Sequence, residues 1–335
     1  MSEDFEPVYS TGIGSWPGTD IGEALRITFA ECQDLPYLPE LPARGTFAQL
    51  VGRGTAFLSG LAVDLQPAGW RLTDGSGRDH RLAKSTVRSD LDELEEAAQG
   101  YVGPFKFAVA GPWTLAALME RPRGDRVLAD SGARRDLGQS LTAGITDLIV
   151  EMRRRLPDLR PVVQLDEPAL PSVVSGAVPT ASGFSRHRAI KEQELREVYR
   201  QLVSALSDDA TGAAVVVHCC AAGAPISLLH DAGVRGLSLD LDQLTTSDWD
   251  AVGAAMEDGV WLGAGALPTD SALSPEEVSN RVLRPVRALG LDPAVAAHML
   301  VTPACGLAGV TSNQGVQALR TVAKAAEIVT DQLGQ

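Results

Sequence analysis

The chain is short of several things at once: aromatic residues make up 5% of it, only four of its 335 residues are cysteine, and 29 Lys and Arg stand against 43 Asp and Glu. No apolar run approaches the roughly 18 residues of a membrane span, and each shortage excludes something. The formal net charge of −14 repels nucleic acid and anionic membrane alike, so neither is expected as a partner. The opening residues Met1 to Pro7 are acidic and lack the basic and apolar regions of a signal peptide, which predicts a cytoplasmic protein. Thiols stay reduced in that compartment. Four cysteines, two of them adjacent, are therefore metal ligands, catalytic groups or core residues rather than disulfides. Cys32, closing the helical stretch Glu23 to Cys32, reads as core.

What is present is a globular composition, 44% hydrophobic with 33 Gly and 20 Pro, enough for one α/β barrel or two ordinary domains. Short apolar runs alternate with amphipathic stretches along most of the sequence, the rhythm of βα units around a parallel sheet. Eight strands are expected, at Tyr9–Ile13, Tyr37–Leu41, Phe105–Ala110, Pro161–Leu165, Ala213–Val217, Gly236–Leu239, Val260–Gly263 and Met299–Thr302. Helical stretches follow them at Ile21–Cys32, Thr46–Gly60, Trp113–Met119 continued by Ser131–Arg155, Lys191–Ser207, Ala224–Ala232, Asp248–Met256, Ser274–Leu289 and Asn313–Leu333. That count predicts a single (β/α)8 TIM barrel over residues 1–335. The long interval after the second strand contains Val63 to Leu82, with turn residues between short alternating runs, and predicts a β-hairpin excursion. Pro171 to Ser185 reads as a long loop over the barrel mouth. The acidic run from Asp90 to Glu96 leaves Leu91 and Leu94 at helical spacing and reads as a solvated helix face.

In such a barrel the chemistry sits at the carboxyl ends of the strands, and the unusual polar residues of this chain fall there. Ile13-Gly14-Ser15-Trp16-Pro17, Pro39-Glu40, Gly111-Pro112-Trp113-Thr114, Gln164-Leu165-Asp166-Glu167-Pro168, His218-Cys219-Cys220, Asp240 and Cys305-Gly306 all follow apolar runs. Imidazole and thiolate are preferred zinc ligands, and a catalytic zinc keeps three protein ligands and one open position. Strand alternation puts His218 and Cys220 on one side and Cys219 on the other. Cys305, ending another strand, is the candidate third ligand, with Asp240 an exchangeable fourth; a strand-end capping aspartate is the plainer reading of Asp240. Asp166 and Glu167 either bind a cationic group, transfer protons or order a loop. Gly14 and Ser15 offer unhindered N–H groups and a hydroxyl to a carboxylate ligand.

These motifs, with Gln164-Leu-Asp166-Glu167-Pro168-Ala-Leu170 and Pro303-Ala-Cys305-Gly306-Leu307 and an interval of 85 residues from Cys220 to Cys305, resemble the catalytic barrel of cobalamin-independent methionine synthase over nearly the whole chain. The resemblance implies a zinc-dependent methyltransferase making methionine from homocysteine, on the barrel shared by the methionine synthases and uroporphyrinogen decarboxylases. It implies His218, Cys220 and Cys305 as zinc ligands, Asp166 and Glu40 as the grip on the homocysteine amino group, and Ile13, Gly14 and Ser15 as the strand end that holds its carboxylate. The implied donor is 5-methyltetrahydrofolate in polyglutamate form. Three departures bear on it. Asp240 stands where the family usually carries a glutamate beside the zinc. Leu118 and Ser172 stand where a folate-contacting tryptophan and glutamate are expected, and the Gly263-Ala-Gly265 segment lacks the family's proton-transfer pair, Asp270 being nearest. The family's N-terminal barrel is not part of this sequence. A methylcorrinoid donor, a separate donor-binding protein, another small thiol, or a non-catalytic zinc-binding barrel are the alternatives.

Overall fold

The computed structural model describes residues 8–334, so the acidic segment Met1 to Pro7 lies outside the described residues. Nine strands are present among the described residues: β1 (Tyr9–Ser10), β2 (Ala62–Gln66), β3 (Gly69–Thr73), β4 (Gly103–Ala110), β5 (Leu159–Asp166), β6 (Ala214–Cys219), β7 (Gly236–Asp240), β8 (Trp261–Leu267) and β9 (Met299–Pro303). Seven of them form one curled, wholly parallel sheet in the order β1-β9-β8-β7-β6-β5-β4, and β2 pairs with β3 in a separate antiparallel sheet. Parallel strands need helical crossovers, and burial on both faces explains their continuous apolar runs, such as Ala-Val-Val-Val in β6. The main apolar cluster joins the outward residues of these strands, Phe105, Phe107 and Val109 on β4 and Val215 and Val217 on β6, to the surrounding helices.

The expected second strand, Tyr37–Leu41, is not a regular strand. It touches its neighbours through single parallel bridges, Ser15 to Glu40 on one side and Tyr37 to Lys106 on the other. Pro36, Pro39 and Pro42 are the cause: a proline has no N–H to give a ladder, and here one recurs every third residue. Two of the N–H groups that remain are used, Leu38 donating to the Lys106 carbonyl and Glu40 to that of Gly14.

Other boundaries move as well. The helix expected over Thr46–Gly60 is a 3-10 turn, Thr46–Ala48, followed by a short helix, Leu50–Thr55. The segment Val63 to Leu82 is not hairpin throughout, because helix Arg78–Ala97 begins inside it. Pro171 to Ser185 is not all loop: Leu170–Ser175 is helical and ends on Gly176 in the left-handed conformation. Asp90 is not solvated. It is fully buried on the core face of helix Arg78–Ala97 and takes two hydrogen bonds of 2.7 Å from Arg44. Among the described residues no helix is long and apolar enough to cross a membrane.

Candidate metal centre and active site

The parallel register aligns the site. Ala110 on β4 pairs with Asp166 on β5, Asp166 with His218 on β6, His218 with Ser238 on β7, and Ser238 with Gly263 on β8, so one level of the sheet carries a carboxylate, an imidazole and a hydroxyl side by side. Alternation then sorts the neighbours. Cys219 turns outward into the main apolar cluster, where burial pushes its thiol up to about 11. Cys220, one residue past the strand, returns to the inner side and meets Cys305, which follows β9. Cys32 is buried in a smaller cluster beside Trp16 and Tyr37, its thiol raised to about 12 by desolvation.

Ligand atoms of His218, Cys220 and Cys305 all lie within 4.8 Å of one another, and the two sulfurs are 3.4 Å apart. A tetrahedral zinc with Zn–S bonds of about 2.3 Å sets two sulfurs roughly 3.8 Å apart, so the sulfur pair is within a few tenths of an ångström of that spacing. The imidazole is prepared for the same task. Its Nδ1 lies 3.1 Å from the Ser238 hydroxyl and 3.2 Å from the Ser238 carbonyl, while its buried Nε2 has no hydrogen-bond partner among the described residues. Donation from Nδ1 to the carbonyl makes Nε2 the lone-pair nitrogen, the usual outer support of a ligating histidine. Gly263 makes room for this support, since a Cβ there would lie 2.9 Å from that of Ser238. The shared hydrogen bond with Cys220, with His218 alongside, draws the Cys305 thiol down to about 4, whereas Cys220 is pushed up by the same bond and keeps the proton. The donor set, one free nitrogen and two sulfurs of which one is readily ionised, fits zinc.

Asp240 lies outside this trio. Its carboxylate caps the turn Leu241–Gln243, accepting from the Asp242 N–H at 3.0 Å and the Gln243 amide at 3.3 Å.

A cavity of about 250 Å³ opens over the cluster, lined by Ile13, Ser15, Glu40, Asp166, Pro168, His218, Cys220, Cys305 and Gly306 with Pro42, Ala48 and Leu50. Every expected binding residue reaches it except Gly14, whose part is steric. A Cβ on Gly14 would come within 3.3 Å of the Ala108 Cβ and 3.5 Å of Glu40 Oε2. Gly306 has a similar duty, because a Cβ there would meet the Ser15 hydroxyl at 2.0 Å.

The two cavity carboxylates are buried and differently supported. Glu40 accepts from Arg53 Nε at 2.9 Å, and desolvation outweighs that cation, raising its carboxyl to about 7. Arg53 also lies 3.5 Å from Asp90, which binds Arg44, so an Asp90–Arg53–Glu40 relay supports the cavity wall from behind. Asp166 is likewise raised by burial, against the pull of His218, and accepts from the Gln164 amide at 2.8 Å. Glu167 does something else. It faces the amino end of helix Pro112–Leu118, accepting from the N–H groups of Trp113 and Thr114, the Thr114 hydroxyl and the Tyr199 hydroxyl at 2.7–3.1 Å. This is a helix cap supplied from a neighbouring strand end, and it orders the mouth without entering it.

Arg53, Asp90, Lys106 and Ser238 are the site residues that motif reading passed over. Lys106 had a signal, a lysine inside the apolar strand Phe-Lys-Phe-Ala-Val-Ala, and so did Arg53, set between Gly52 and Gly54 in a buried helix.

A curled parallel α/β sheet whose strand ends bring an imidazole and two thiols together defines an α/β fold with a candidate metal centre. The catalytic-domain model of the cobalamin-independent synthase family matches residues 116–328, and the chain belongs to that family, whose members are methyltransferases. The match spans Asp166, His218, Asp240 and both cysteines but not residues 13–15 or Glu40. Among solved structures, a B12-independent methionine synthase from Shewanella sp. W3-18-1 in complex with selenomethionine is similar in fold, with a TM-score of 0.62 at 13% identity, covering 98% of this chain and 99% of that one. No curated protein matches the chain in sequence.

Proposed function

We propose that the chain, read as one catalytic unit over residues 1–335, is a zinc-dependent methyltransferase that methylates the thiol of homocysteine to give methionine. The observation that carries this reading is the convergence of His218 Nε2 and the Cys220 and Cys305 sulfurs at the floor of a cavity whose walls hold two carboxylates. On this reading the bridged segment around Glu40 serves as the eighth staff of a closed barrel, and the protein works in the cytoplasm without nucleic acid or membrane.

His218, Cys220 and Cys305 would hold the zinc, which lowers the pKa of a bound thiol and so supplies a thiolate nucleophile at neutral pH. The remaining work is done by the chain. Asp166 and Glu40, on the cavity wall, bind the substrate ammonium; the N–H group and hydroxyl of Ser15, in the turn that Gly14 makes possible, take its carboxylate. Both ends of the amino acid are then fixed, and its sulfur is directed at the metal trio. Asp240, which caps the turn beside the trio, would supply the exchangeable fourth position. Pro42, Ala48 and Leu50 give the cavity an apolar wall.

The donor is proposed to be 5-methyltetrahydrofolate, the family default. A methylcorrinoid, free or on a separate protein, is the competing donor, because Leu118 is 41% exposed where a folate-stacking tryptophan is expected. Zinc-loaded protein incubated with homocysteine and either methylfolate or methylcobalamin tests this directly by methionine formed. Methionine from the first donor alone supports the folate reading; methionine from neither, with zinc bound, sinks the homocysteine methyltransferase assignment.

A further inference from the structure

Lys106 carries no role so far, yet it is a firmly anchored buried charge. It projects from the middle of β4 and is 2% exposed, and its ammonium has three donors, all spent inside the protein. They go to the Gly12 carbonyl at 2.6 Å, the Ile13 carbonyl at 2.7 Å and Gln164 Oε1 at 2.7 Å, with the Tyr37 ring 5.2 Å away. Any buried ammonium needs such partners, and a hydrocarbon of equal volume would cost less to bury, so the charge is kept here for more than packing.

The third bond has a consequence for the cavity. An amide side chain is nearly symmetric in shape, and its orientation is set by what its two ends meet. Because the ammonium can only donate, Gln164 must turn Oε1 to Lys106, and its two N–H groups then point at the Ile13 carbonyl, 2.9 Å away, and Asp166 Oδ1, 2.8 Å away. The opposite orientation would set oxygen against oxygen at both Ile13 and Asp166 and an N–H group against the ammonium. Asp166 is thereby held by one oxygen from behind, leaving the other to the cavity. The same ammonium ties down Gly12 and Ile13, the backbone leading to Gly14 and Ser15. It also sets a positive charge behind a wall whose Glu40 and Asp166 would otherwise repel each other, as Arg53 does on the Glu40 side.

We infer that Lys106 is a positioning residue for amino-acid recognition: through Gln164 it fixes the Asp166 carboxylate in the orientation that receives the substrate's ammonium group. The inference rests on the homocysteine reading of the cavity. It predicts that Lys106 governs selectivity for the α-amino group rather than the thiol chemistry.

The test compares binding of methionine with that of 4-(methylthio)butanoate, the same molecule without the amine, by calorimetry on zinc-loaded protein. Wild type is expected to prefer methionine by ten- to a hundredfold, the scale of a hydrogen bond to a charged group. Lys106→Met is expected to cut that ratio at least tenfold while changing affinity for the amine-free acid less than threefold and leaving bound zinc at one per chain. Gln164→Glu keeps the acceptor for Lys106 but cannot donate to Asp166, and is expected to lose the same ratio; it decides the matter if Lys106→Met does not fold. Asp166→Asn combined with Lys106→Met is expected to add nothing to either single change. Selectivity present in wild type and retained in the folded variants overturns the inference alone. A wild type that binds both compounds equally, or neither, overturns the amino-acid reading of the cavity and the inference with it.

Discussion

The Cys305 sulfur lies 3.4 Å from that of Cys220, although the two are 85 residues apart in the chain, and His218 completes a group within 4.8 Å. Cys305, drawn down to about 4, presents one thiolate to a divalent cation, which then has a single proton to displace, the one held by Cys220. Purified protein is therefore expected to retain one zinc per chain by elemental analysis. Cys220→Ser and Cys305→Ser are each expected to weaken zinc at least a hundredfold in competition with a chromogenic chelator, while Cys219→Ser, whose side chain faces the core, leaves affinity within about threefold. Undiminished zinc in the Cys220→Ser, Cys305→Ser double variant would refute the centre.

The support behind His218 can be graded. Ser238→Ala removes the hydroxyl at 3.1 Å but leaves the carbonyl at 3.2 Å, so Nδ1 keeps a partner and zinc affinity is expected to fall less than tenfold. Gly263→Ala is the harsher change, because its Cβ would sit 2.9 Å from that of Ser238 and 3.0 Å from its backbone Cα, displacing hydroxyl and carbonyl together. A loss of ten- to a hundredfold, the usual cost of disturbing an outer support, is expected there. Equal affinities in the two variants would show that the backbone carbonyl does not orient the ring.

The strand ends were readable because they rest on short-range rules. Alternation along β6 separates His218 and Cys220 from Cys219 whatever the rest of the chain does, and an apolar run stopping at a cysteine marks Cys305. The second strand was not, because its apolar residues suit a strand while Pro36, Pro39 and Pro42 deny it a ladder. Asp90 shows a rule applied to half its residues. Val87, Asp90, Leu91 and Leu94 share one helical face and all are buried, so the period of 3.6 placed Asp90 inside; its partners Arg44 and Arg53 lie far off in sequence, where no spacing rule reaches. The Lys106–Gln164–Asp166 chain is of the same kind, two neighbours on β5 and a third group from β4 that only the register brings alongside.

Arg53 links the cavity to that buried aspartate. Removing a partner from a buried ion pair costs about 3–5 kcal/mol because a charge is left uncompensated, and Arg53 serves two carboxylates, Glu40 at 2.9 Å and Asp90 at 3.5 Å. Arg53→Met is expected to lower the unfolding free energy by about that amount in urea titration. Asp90→Asn, which keeps the shape and leaves Arg53 on Glu40, is expected to lower it by less. A variant Arg53→Met as stable as wild type would mean that Glu40 and Asp90 are held by their other surroundings.

Proton uptake by Glu40 supplies the last expectation. Burial raises its carboxyl from the ordinary 4.5 to about 7, so between those values the folded protein holds a proton that the unfolded chain has released. Stability therefore falls as pH rises from about 4.5 to about 7; Glu167, raised by burial to about 7 as well, adds a slope of the same sign. Glu40→Gln removes one of these contributions, Asp166 being raised by burial as well, and is expected to flatten, without abolishing, the decline in melting temperature across that window. Ligand binding runs the opposite way. A substrate ammonium is attracted by ionised Glu40, so methionine affinity is expected to rise about tenfold from pH 6 to pH 8 in wild type, the span of one group titrating near 7, and to vary less than threefold in Glu40→Gln. If the variant keeps the full rise, the ionisation belongs to Asp166 or to the metal centre, and Glu40 is not part of the ammonium grip.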